Sequence, residues 1–140
     1  MFKLITKTIA AVAIVSVALF GSANAKTLKI ETHFTASSPN GEVAAQFAKN
    51  VESFSGGSLK IQMFYSSSVS GKSAEVFNSA QTGIIDCDMT GAGYQTGKNA
   101  AFQFAGDVMG GYDTPYQQYD FLKFPGAQKA VDNLYNKYGM

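Results

Sequence analysis

Thr27-Leu28-Lys29-Ile30-Glu31-Thr32-His33 alternates apolar Leu28 and Ile30 with charged Lys29 and Glu31, the two-residue period of a strand with one face more buried than the other. Working outward, Ser37-Ser38-Pro39 is a helix start signal, in which Ser38 caps and Pro39 presets the first turn. Val43, Ala44, Phe47, Ala48, Val51 and Phe54 then recur at helical spacing, until Gly56-Gly57 stops the helix. A second alternating run, Leu59 to Tyr65, predicts a second strand. After the serine-rich loop 66–71, Ser73 is placed to cap a short helix lined by Ala74, Phe77 and Ala80 and ended by Gly83. Ile84 to Thr90 predicts a third strand, with Cys87 on the same buried face as Ile85 and Met89.

Downstream, the pattern changes to a glycine-rich stretch, Gly91 to Gly97. Two helices are predicted after it: Thr114-Pro115 through Phe124, and one striped by Ala127, Val131, Leu134, Tyr135 and Tyr138 and terminated by Gly139. Strands separated by helical crossovers predict an α/β fold with a mainly parallel sheet flanked by helices. Ligands of such sheets sit beyond the carboxyl ends of the strands. Here those ends are His33 to Ser38, Tyr65 to Ser73 and Thr90 to Tyr94, rich in hydroxyls and glycine, with helix N-termini to offer an anion or polar solute.

Residues 1–25 read as a secretory signal. Lys3 and Lys7 precede the uncharged run Ile9 to Phe20, and Ala23-Asn24-Ala25 is a small-residue cleavage site. The apolar run is shorter than the ~20 residues of a spanning helix. The remaining 115 residues, enough for one core, carry nine lysines against ten acidic residues, a formal charge of −1, which argues against a nucleic-acid partner. Arginine, the usual bidentate clamp for a carboxylate, is missing from the sequence. The single cysteine, Cys87, has no internal disulfide partner.

Several constellations give no chemistry. His33 and Cys87 are candidates for a nucleophilic pair, but a buried strand cysteine is ordinary packing. Asp86 and Asp88 share a strand face without a second group beside them, so they read as solvated or locally hydrogen-bonded. One histidine and one cysteine without spaced partners give no metal site, and no cofactor is expected. Gly91 to Gly97 lacks the Gly-Lys-Ser/Thr ending of a phosphate loop. Tyr112, Tyr116 and Tyr119 are expected in core and cleft-wall packing.

The segments Ser55-Gly56-Gly57-Ser58-Leu59-Lys60-Ile61 and Ala74 to Gly83 resemble the solute-binding proteins of TRAP-type (tripartite ATP-independent periplasmic) transporters. Met89 to Phe102 (MTGAGYQTGKNAAF) and Asp132 to Gly139 (DNLYNKYG) are similar to the subgroup that handles 2-oxo acids and other small carboxylates. Where that subgroup has a Val-Pro-Phe-Gly turn, this chain has Val108-Met109-Gly110-Gly111. The resemblance implies the first lobe of a periplasmic-binding-protein-like fold over residues 26–140, truncated where a second, arginine-bearing lobe begins. It also implies a non-enzymatic, periplasmic role, capturing a small carboxylate for the membrane subunits of a transporter. His33, Ser37, Ser38, Ser73, Thr90, Gly91 and Tyr94 are then the expected ligand-binding positions. The competing reading is a small exported interaction protein that uses its aromatic second half as a contact surface and has no small-molecule ligand.

Overall fold

The computed structural model describes residues 25–106, 108 and 110–140, so the expected signal segment, residues 1–25, lies outside the described residues except for Ala25, as do Asp107 and Met109. Three strands, β1 (Lys26–Thr32), β2 (Leu59–Phe64) and β3 (Cys87–Met89), form one sheet in the order β2-β1-β3. Both pairings are parallel. Ile30 stands opposite Met63 on one side and Cys87 on the other, and Glu31 opposite Phe64 and Asp88. The helices are α1 (Pro39–Phe54), α2 (Val76–Gln81), α3 (Pro115–Lys123) and α4 (Pro125–Asn136). This α/β architecture, a small parallel sheet flanked by helices, is the expected one.

Helix α1 starts as the sequence dictates. The Ser38 hydroxyl accepts from the Gly41 N–H at 3.1 Å, satisfying one of the donors left free by the first turn, and Pro39 takes the first helical position. Gly41 is required here for space, because a Cβ would lie 2.0 Å from the Thr35 carbonyl oxygen. The helix ends before Gly56 and Gly57, both with positive φ.

The second helix departs from expectation. Ser73 is not a cap: Lys72 holds that position without a side-chain hydrogen bond, and Ser73 to Glu75 form a 3-10 turn ahead of the six-residue α2. Its hydroxyl lies 3.5 Å from that of Ser67. The third strand is also shorter than its apolar pattern, because residues 84–86 follow the Gly83 turn before the ladder begins. Ile85 is buried as expected, but Cys87 is exposed, because β3 lies at the sheet edge.

Beyond β3, Ala92–Gln95 and Ala100–Phe104 are 3-10 turns fastened to the second helix. Buried Gln95 donates to the Ala74 carbonyl at 3.1 Å, and Lys98 to Asn78 Oδ1 at 2.7 Å. Phe77, Ala92, Phe102 and Leu134 form a core cluster, with Phe77 and Phe102 edge to face at 5.7 Å and Tyr135 and Tyr138 packed against them. This joins the last helix to the sheet lobe through aromatic contacts. In contrast, α3 has no buried residue. Tyr116 is 79% and Tyr119 56% exposed, so the packing expected for these two tyrosines fails.

Candidate functional site

The three strand ends lie side by side, as the parallel register requires. At the first, buried Glu31 organises the loop after β2. Its Oε1 accepts from the Val69 N–H at 2.6 Å and the Ser70 N–H at 3.2 Å, and the Ser70 hydroxyl donates to Oε2. The Ser79 hydroxyl on α2 lies 2.7 Å from that of Ser70. Ser66 and Ser67 hold left-handed φ angles of 57° and 52°, and their N–H groups bond the Phe34 and Thr32 carbonyls. The sequence pattern puts Glu31 on the more exposed face of β1. In the structure the serine loop folds over it, and the loop's own N–H groups supply the partners that make burial tolerable.

The third strand end is different. Asp88 is the register neighbour of Glu31, and its Oδ1 is buried without a partner, as are Thr90 Oγ1 and His33 Nδ1. Burial pushes the Asp88 carboxyl above the usual carboxylate range. The Thr90 hydroxyl and N–H and the His33 ring favour the charged form, and Glu31 opposes it. The Thr90 hydroxyl is thus near the carboxyl without the geometry of a full hydrogen bond. Of the two expectations for Asp88, solvated or locally hydrogen-bonded, its partial burial beside Thr90 fits the second. The Cys87 thiol is raised as well, by burial first and by Asp86 second.

Of the expected site residues, His33, Thr90, Gly91 and Tyr94 come together. The His33 ring packs on Phe34 at 3.9 Å and edge-on to Tyr94 at 5.2 Å, and the Tyr94 N–H donates to the Gly91 carbonyl at 3.1 Å. Tyr94 remains 46% exposed. Ser38 is engaged as the α1 cap, Ser37 is exposed nearby, and Ser73 stands with the serine loop. Among the described residues, no group of three His, Cys, Asp or Glu side chains could hold a metal ion. No helix among them is long and apolar enough to cross a membrane.

Residues 30–109, which carry all three strand ends, match the profile of the bacterial extracellular solute-binding proteins, family 7. The chain belongs to that family. Solved structures similar to this family 7 chain include three solute-binding proteins. An apo, open TRAP periplasmic solute-binding protein from Rhodobacter sphaeroides superposes with a TM-score of 0.75 at 25% identity, over 81% of this chain and 36% of that one. One from Pseudoalteromonas atlantica, with bound sodium and pyruvate, gives 0.75 at 20% identity over 83% and 35%. A TRAP transporter solute-binding protein from Bordetella bronchiseptica, with calcium and picolinate, gives 0.72 at 21% identity over 81% and 34%. The chain thus spans about a third of the length of these structures. No curated protein matches it.

Proposed function

We propose that residues 26–140 form one wall of a cleft that captures a small organic acid, a 2-oxo acid or similar carboxylate, and delivers it to the membrane subunits of a TRAP-type transporter. The observation that carries this reading is the cluster at the ends of β1 and β3. His33 and Tyr94 pack edge to face there beside Thr90 and Gly91, with polar atoms of His33 and Thr90 left unpartnered. Pyruvate and picolinate, bound by two of the similar structures, support a small carboxylate as the solute. Capture is equilibrium binding with hinge closure, and it asks for no reacting group.

In this reading the charge-pairing wall is a second lobe outside residues 26–140, in keeping with the third of their length that the chain spans in the similar structures. Export with cleavage after Ala25 puts the mature protein in the periplasm. The test is calorimetric titration of pyruvate into the full gene product and its His33→Ala and Tyr94→Ala variants. The expected result is binding that each substitution weakens by ~5- to 30-fold, since each removes a packed or hydrogen-bonding contact worth about 1–2 kcal/mol. Tight binding by residues 26–140 alone would overturn the two-lobe reading.

Exposed Tyr116, Tyr119, Phe121 and Phe124 on and beside α3 favour a second reading, a contact surface for another protein. A stable, monodisperse oligomer of this chain in size-exclusion chromatography, without dye-binding apolar surface, would support it.

A further inference from the structure

Glu31 is a fully buried acid to which the capture reading gives no part. Its carboxyl takes the Val69 and Ser70 N–H groups on Oε1 and the Ser70 hydroxyl on Oε2. Ser70 lies 2.7 Å from the Ser79 hydroxyl, so this one side chain ties β1 to the serine loop and, through it, to α2. The same loop returns to β1 just past Glu31. The Ser67 N–H donates to the Thr32 carbonyl at 3.0 Å and the Ser66 N–H to the Phe34 carbonyl at 2.9 Å, one on each side of His33. The Phe34 N–H is held in turn by Thr32 Oγ1 at 3.4 Å. The backbone that carries His33 is thereby pinned, and its ring packs against Phe34 and Tyr94.

The two bonds that bracket His33 come from residues in a costly conformation. Ser66 and Ser67 have φ of 57° and 52°, where a Cβ crowds the following carbonyl. Non-glycine residues stay there when their surroundings over-determine them. Glu31 supplies part of that hold, gripping the chain two and three residues beyond Ser67. We propose that Glu31 is a positioning residue for solute capture: by anchoring the serine loop it keeps Ser66 and Ser67 left-handed, and they set where the His33 ring stands on the cleft wall. The proposal deepens the capture reading and rests on it, because His33 is the group that meets the solute. Glu31 itself is enclosed and acts through the loop.

The experiment titrates pyruvate into the full gene product and its variants. Glu31→Ala should weaken binding by ~10-fold or more, and Glu31→Gln, which keeps an acceptor oxygen at the same reach, by no more than ~3-fold. Adding Ser66→Gly to Glu31→Ala should recover ~3-fold or more of the loss, because glycine takes a positive φ without a crowded Cβ. The His33 ring resonance, assigned by its disappearance in His33→Ala, should shift in Glu31→Ala and move back when Ser66→Gly is added. Leu134→Ala, which opens the aromatic core instead of the loop, should lower the melting temperature and leave that resonance in place. If Glu31→Ala does not fold, Ser70→Ala carries the test, with binding weakened ~3-fold and the same ring shift. A parent protein that binds no pyruvate overturns the capture reading and this proposal with it. A parent that binds pyruvate, while the loop variants leave the affinity or the His33 resonance unchanged, overturns the positioning role alone. An equal ring shift in Leu134→Ala also overturns it, because Glu31 would then act only through overall stability.

Discussion

Glu31 and Asp88 are neighbours across the β1–β3 ladder, on the same face of one sheet, and their surroundings are opposite. Around Glu31 the serine loop closes, with two left-handed residues turning its backbone so that two N–H groups and a hydroxyl converge on one carboxyl. Around Asp88 there is a half-open groove at the sheet edge, and one of its oxygens finds no partner. A buried acid stabilises a fold only when its acceptors are matched. The Glu31 carboxyl has its acceptors matched, whereas one Asp88 oxygen is left unmatched.

The strongest way to break this comparison is Glu31→Ala. It leaves the Val69 and Ser70 donors without their acceptor, at ~1–3 kcal/mol each, so urea unfolding should show a loss of about 3 kcal/mol or more. A loss under ~1 kcal/mol would make Glu31 an ordinary surface acid. Gly41→Ala should cost almost as much, about 2 kcal/mol, since its Cβ would push the Thr35 carbonyl away from the α1 start. Ser38→Ala, read in the same unfolding assay, should cost about 1 kcal/mol by removing the cap bond to Gly41.

Asp88→Asn sharpens the contrast through pH. A carboxyl whose folded pKa is raised favours the folded state while protonated, and that contribution is lost as pH rises through the raised value. In the chain described here, Asp88→Asn should therefore raise the melting temperature at neutral pH and flatten the gain seen on acidification. An unchanged pH profile would show that Asp88 is not the acid responsible. The smallest effect belongs to the hydroxyls. Thr90→Val should be neutral or slightly stabilising, while Ser70→Ala should cost ~1 kcal/mol, because one hydroxyl is unpartnered and the other bonded.

Alternation and capping were legible in the chain itself. Leu28, Ile30, Ile61 and Met63 share a face as their spacing requires, and Ser38-Pro39 sets the start of α1 to the residue. The neighbourhood of the strand ends was legible in part: His33, Thr90, Gly91 and Tyr94 follow β1 and β3, and the structure packs the His33 ring against Tyr94 and bonds Tyr94 to Gly91. Ser73 was misread because a serine ahead of an apolar run looks alike whether an α-helix or a 3-10 turn follows. Tyr116 and Tyr119 were misread because aromatic content does not say whether a covering partner is present.

The sequence by itself determined the order of strands and helices, the parallel pairing and the family, because each rests on local periodicity, turn chemistry or motif. Only the tertiary structure decided which acid is buried and satisfied, which is half-buried with one oxygen unpartnered, and that Cys87 is exposed at the sheet edge. Those properties depend on what lies across the sheet from a side chain. A strand's two-residue period separates its faces and carries no record of what covers them.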